Sequence, residues 1–149
     1  MSTVLILADF AGDKATKATA ELATAAARIG SVTAVVLAGS GKGAALAATV
    51  NQGPIANVLV IESDDFATHG VAASADALAQ IVKEKSPAAL LIASHAFGKE
   101  VAARVCVLTE SGIITDAVDV AADCTATQSV FGGSTTVHSK VSHLSLIHI

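Results

Sequence analysis

Four unbroken apolar runs constrain this chain more than any other feature: VLILA at 4–8, VTAVVL at 32–37, VLVI at 58–61 and ALLIA at 89–93. None alternates with polar residues. A strand made from such a run has two faces to hide, and parallel strands sandwiched between helices meet that demand. The segments between the runs have helical period instead. Ala15, Ala18, Leu22, Ala25 and Ile29 recur at steps of three and four and so share one helix face. Asp13 is placed to cap that helix, Arg28 lies at the negative end of its dipole, and Gly30 sits where a left-handed C-terminal residue is favoured. A second helix is predicted over roughly 43–51, ending before Gly53-Pro54. A third carries Val71, Ala75, Leu78 and Val82 on one face and stops at Ser86-Pro87, because the residue before a proline avoids helical geometry. A fourth, from about Gly98 to Leu108, aligns Val101, Val105 and Leu108. The order is β-α-β-α-β-α-β-α. Right-handed crossovers turn it into a three-layer α/β sandwich around a mainly parallel, Rossmann-like sheet.

After Ser111-Gly112 the texture changes. Residues 113–120 are mixed, and a polar stretch follows to Thr127. SVF at 129–131, Gly132-Gly133 and TTVHSKV at 135–141 then read as a hairpin. Val137 and Val141 alternate with Thr136, His138 and Lys140, the pattern of a strand with one wet face. This hairpin is expected at the edge of the sheet near the C-terminus, with an antiparallel orientation left open.

A chain of 149 residues can bury one real core and is too short for two ordinary domains. It is 52% hydrophobic but only 3% aromatic, so the core must be built from Ala, Val, Leu and Ile. Its nine basic residues are scattered and the net charge is −4, which argues against nucleic acid, since phosphate binding needs clustered Lys and Arg. The opening apolar stretch has no basic region before it and is too short to span a bilayer, so no targeting or transmembrane segment is expected. Cys106 and Cys124 form no CxxC pair and no disulfide framework, the pattern of a reducing, cytoplasmic compartment.

Two loops are candidates for a nucleotide. The first, Gly39-Ser40-Gly41-Lys42-Gly43-Ala44, follows a strand and opens a helix, and satisfies the loose pattern GxGxx(G/A). Its glycines would let backbone amides approach a pyrophosphate, with Glu62 at about the right distance for a ribose. Against this, the pattern follows the second strand rather than the first and the helix after it is short; a flexible turn is the preferred reading. Lys42 belongs to no P-loop, because no glycine stands five residues before Gly41. The second loop lies in ASHAFGKEVAARV at 93–105, at the carboxyl end of a buried strand, where α/β folds place ligands. There Ser94 either caps the helix or touches a bound group, and Gly98 permits tight packing. The five histidines lack metal-ligand spacing, no GxSxG elbow or Ser-His-Asp order appears, and Cys106 reads as an inert core thiol. Asp64-Asp65, Asp116 and Asp119 read as loop or capping carboxylates. No catalytic and no metal-binding residue is assigned.

Two stretches together carry a family resemblance. ASHAFGKEVAARVCVLTESGIITDAVDV at 93–120 resembles a region of electron transfer flavoprotein alpha subunits through Ser94, Gly98, Lys99, Arg104, Val105, Ile114, Thr115 and Asp116. TQSVFGGSTTVHSKV at 127–141 is similar to the family's aromatic-glycine hairpin, here Phe131-Gly132-Gly133-Ser134 followed by Thr136-Val137. The opening strand and the helix entering ELATAAARIG also fit, so the resemblance covers about residues 3–142. It implies the fold of the electron transfer flavoprotein and universal stress protein superfamily. It also implies a heterodimer in which alpha and beta subunits bind one FAD, with AMP in the beta subunit. Such a carrier takes electrons from acyl-CoA dehydrogenases and related flavoenzymes to a quinone oxidoreductase and is not itself an enzyme.

In the family the FAD is held mainly by the alpha subunit's second domain, so no FAD-binding residue is expected in this chain. On this basis residues 1–142 form the amino-terminal domain. Residues 143–149, HLSLIHI, are expected to be an unmatched tail from a foreign or frame-shifted join, with the FAD-binding domain absent. The alternative is an adenine-nucleotide-binding module of universal-stress-protein type, using Gly39 and Gly41 or Ser94 and Gly98; a third reading is a structural interaction domain.

Overall fold

The computed structural model describes residues 1–51, 53–143 and 145–149. From the amino terminus the elements are β1 (Thr3–Leu7), a ribbon of β2 (Phe10–Ala11) and β3 (Lys14–Ala15), α1 (Lys17–Ala26), β4 (Ser31–Ala38), α2 (Gly43–Val50) and β5 (Ile55–Glu62). Next come α3 (Asp65–His69), α4 (Val71–Lys85), β6 (Ala89–Ile92), α5 (Ala96–Thr109), β7 (Gly112–Ile114), β8 (Ala117–Val120), β9 (Ala126–Val130), β10 (Thr135–Ser139) and β11 (Ser145–His148).

Six strands make one parallel sheet in the order β5-β4-β1-β6-β11-β7. Successive side chains of a strand point to opposite faces, so each apolar run feeds two cores. Val4 and Ile6 pack with Leu22, Ala23 and Ala26 of α1 on one face. Leu5 and Leu7 pack with Leu78 and Val82 of α4 and Val101 and Val105 of α5 on the other. The three-layer sandwich expected from the sequence is therefore the architecture observed.

The run at 58–61 behaves differently from the other three. β5 is an edge strand, and Val58 and Val60 remain 38% and 37% exposed. Its apolar character made it look buried on both faces, but only Leu59 and Ile61, on the α4 side, pack against a core. The start of α1 also differs. Gly12, at φ 62°, turns the β2–β3 ribbon and takes Asp13 into that turn, so the helix begins after Thr16 rather than at Asp13. Gly30 is not a left-handed cap: a side chain there would overlap the Ser2 carbonyl oxygen.

The hairpin near the C-terminus exists, but it does not extend an edge of the main sheet. β9 and β10 pair antiparallel and join β8 in a separate three-stranded sheet. Ala117, Val120 and Ala126 bury that sheet against the α1-side core. Arg28 fastens it from the end of α1, donating from Nη1 to the Asp119 carboxylate and to the Val120 carbonyl.

Residues 145–148, expected in a tail outside the domain, form β11 inside the sheet. This strand runs parallel between β6 and β7, with Leu146 opposite both Leu90 and Ile113. The Ile149 amide donates to the Ile92 carbonyl at 2.9 Å, and Ile147 is 1% exposed. The physical reason is the backbone: the open sides of β6 and β7 present donors and acceptors that need partners once buried, and β11 supplies them.

Ile147→Ala is expected to cost ~2–5 kcal/mol, as for other buried Ile truncations. Urea unfolding measures it, and an unchanged midpoint would place β11 outside the core. The amide of Val120, then the Arg28 guanidinium, hold the Asp119 carboxyl below its ordinary value of 3.8. Between the two values the unfolded chain binds the extra proton, so stability rises with pH there. The contribution is complete above the ordinary value and disappears as pH falls through the lower, folded one. Because the pair is exposed, Asp119→Asn should lose no more than about 1 kcal/mol at neutral pH. The difference between the two proteins should shrink in urea midpoints taken from about pH 5 to pH 2.

Candidate functional site

β4 and β5 lie to one side of β1, and the chain then crosses to place β6 on the other side. The carboxyl ends of β1 and β6 therefore flank the point where strand order reverses, the position at which open α/β sheets form crevices. A cleft of about 410 Å³ opens there. Leu7, Leu37 and Ile92 contribute its apolar floor, α3 brings Phe66, and the start of α5 brings Phe97.

Its polar part is a short network around Asp9. His95 Nε2 lies 2.9 Å from Asp9 Oδ1, and His95 Nδ1 accepts the Gly98 amide at 3.0 Å. Because Nδ1 accepts, the ring proton belongs on Nε2, directed at Asp9. Thr16 Oγ1 donates to Asp9 Oδ2 at 2.6 Å, and Thr19 Oγ1 donates to the Asp9 carbonyl at 3.0 Å. The N-cap of α5 is thus His95, not Ser94. Ser94 instead turns toward Asp116, donating to Oδ1 at 3.2 Å, while Lys99 Nζ approaches the same oxygen at 3.0 Å. Gly98 does serve close packing: a side chain there would overlap the Ala93 carbonyl oxygen.

The loop with Gly39 and Gly41 lies away from this cleft, between β4 and α2. Its amides are already engaged. Gly43 N donates to Glu62 Oε1 at 2.7 Å, Gly41 N to Glu62 Oε2 at 3.2 Å, and Ser40 N to Asp64 Oδ1 at 3.1 Å. Carboxylates of the chain itself occupy the place where amides would meet a phosphate. Gly43 is also a packing residue, since a side chain there would overlap Val60. Glu62, considered as a ribose contact, instead closes the loop. The amides of the glycine loop meet carboxylates of the chain itself, and among the described residues lining the cleft there is Asp9 but no Lys or Arg.

Among the described residues no group of three or more His, Cys, Asp or Glu is placed to hold a metal ion. No helix among them is long and apolar enough to cross a membrane. Cys106 is partly buried, and its Sγ donates to the Ser111 carbonyl at 2.7 Å. Sequence reasoning passed over Asp9 and His95. Their one signal is position: each follows a buried strand by two or three residues, at the ends of β1 and β6.

The sequence matches the electron transfer flavoprotein domain over residues 4–147. This chain belongs to that family. It is 36% identical over 140 residues to an electron transfer flavoprotein subunit alpha of Mycobacterium tuberculosis (strain ATCC 25618 / H37Rv), covering 94% of this chain and 44% of that protein. The corresponding subunit of Mycobacterium leprae (strain TN) is 35% identical over 133 residues, covering 89% and 42%. The chain thus spans less than half the length of these curated relatives and matches their amino-terminal part. Among solved structures, a probable glycerol dehydrogenase from Sinorhizobium meliloti 1021 aligns over 99% of this chain and 38% of that one, at 14% identity and a TM-score of 0.36, too slight a likeness to argue from. The family match includes part of β11 as well as the stretches at 93–120 and 127–141.

Gly98→Ala is expected to force α5 away from β6 and destabilise the fold by ~1–3 kcal/mol, the usual cost of overpacking. His95→Ala should cost ~1 kcal/mol through loss of the cap. Thermal unfolding of both variants distinguishes these effects, with Gly98→Ala expected to melt lower.

Proposed function

We propose that this chain is the amino-terminal domain of an electron transfer flavoprotein alpha subunit, a non-enzymatic element of a heterodimeric electron carrier. One observation carries this reading: similarity to subunit alpha over 94% of the chain, spread through both motif stretches. In this proposal the domain contributes scaffold and part of the contact with a beta subunit. The single FAD is held mainly by a second alpha domain carried on a longer protein, and the isoalloxazine supplies the redox chemistry. The engaged glycine loop and the acidic cleft support assigning the flavin to another part of the heterodimer, since neither offers a pyrophosphate its usual partners. Electrons would pass from acyl-CoA dehydrogenases and related flavoenzymes to a quinone oxidoreductase, in the cytoplasm.

The β8–β10 sheet gives this reading a concrete contact surface to test. Val118, Phe131 and Val137 are exposed there, apolar groups that contact with a second subunit would remove from water. The purified 149-residue chain is expected to be colourless. The longer alpha protein, co-expressed with its beta subunit, should purify as a yellow complex with one flavin. Stoichiometric flavin on the short chain would overturn the assignment of the flavin site. Failure of the longer protein to retain a beta subunit would overturn the assignment to a heterodimer.

A further inference from the structure

The chain has four phenylalanines and neither tryptophan nor tyrosine. Three of the four, Phe10, Phe66 and Phe97, line the cleft at the ends of β1 and β6. They come from three different elements: the β2–β3 ribbon, α3 and α5. None is fully buried, and Phe97 is 43% exposed. A core that wanted aromatic bulk would hide it, whereas these rings gather around an opening.

A second observation comes from α4. Ser74 also lines the cleft and is only 3% exposed, yet its hydroxyl has no hydrogen-bond partner among the described residues. Helical hydroxyls usually return to the carbonyl four residues back. Thr24 and Thr109 do so here, at 2.8 and 2.7 Å. Ser74 does not, and a buried polar group left unsatisfied calls for a partner. Asp9 has capacity to spare as well. Its two oxygens offer about four acceptor positions, and the side-chain donors on them are Thr16 and His95.

We propose that this cleft binds a small, uncharged, planar nitrogen heterocycle that carries an N–H donor. The phenylalanine faces accept such a ring by stacking. The Asp9 carboxylate accepts its N–H, and the Ser74 hydroxyl donates to a ring nitrogen or carbonyl. Anionic ligands are disfavoured, because among the described lining residues there is the Asp9 carboxylate and no Lys or Arg. The site uses residues of this chain alone, so the proposal stands apart from the assignment to a two-subunit flavin carrier.

The test is a titration of the isotope-labelled 149-residue chain followed by amide chemical shifts, with adenine and benzimidazole as uncharged probes and AMP as the charged counterpart. Saturable shifts with at least one uncharged ring, centred on residues 66, 74 and 97, are expected, and AMP should bind more weakly than adenine. Phe97→Ala should weaken binding about ten-fold through loss of stacking, and Ser74→Ala about five-fold through loss of one hydrogen bond. Melting temperatures of both variants show that each is folded, and Phe97, being exposed, keeps the test available if Ser74→Ala is unstable. No saturable shift with either ring, shifts mapped away from the cleft, or Phe97→Ala binding as tightly as the parent would overturn the proposal. Tighter binding of AMP than of adenine would also overturn it.

Discussion

Everything in this structure depends on the burial of β1. It is paired along both sides, to β4 and to β6, and Val4, Leu5 and Ile6 are fully removed from water. With Val4 to Leu7 all apolar and buried, the strand can exist only if helices cover both faces at once. Alternate residues therefore recruit α1 to one side and α4 with α5 to the other, and the two cores meet only through the sheet. Small residues make this possible. Ala23 and Ala26 on α1, and Ala75 and Ala102 on α4 and α5, are all but wholly buried, so the helices approach the strands closely without aromatic bulk.

The sequence made this central arrangement legible because it is written locally. Four apolar runs and four amphipathic segments carry their own periods, and α4 shows its end as well, with Ser86 left-handed before Pro87. What stayed hidden depends on partners far away in the chain. The run at 58–61 is as apolar as its neighbours, yet it lies at an edge, and hydrophobicity alone does not encode strand order. The final residues look like an orphan tail until β6 and β7 are seen to need a strand between them. The five-residue α3 is too short to show a period.

The site is legible in the sequence in the same partial way. The loop after β6 lies at a strand's carboxyl end, as the apolar run before it implies, but the cap is His95 rather than the more familiar serine beside it. Nothing local announces that choice, because His95 is held by Asp9, 86 residues earlier. The glycine loop teaches a related lesson. Its spacing matches a phosphate-binding pattern, but such a pattern records only that amides converge. Which anion they meet is decided by what the neighbouring strand presents, and here that strand ends in Glu62.

The position of β11 has a consequence for the order of assembly. Among the described residues β6 and β7 make no pair with each other; β6 pairs with β1 and β11, and β7 is joined to the sheet through β11, the strand that comes after both of them in the chain. As the polypeptide is synthesised from its amino terminus, the β5-β4-β1-β6 half can zip together while β7 still has no place to dock. Closure waits for residues 145–148, so the far half of the sheet is built from contacts long in sequence, the kind that form slowly. Until then a nascent chain presents the open flank of β6 to its surroundings.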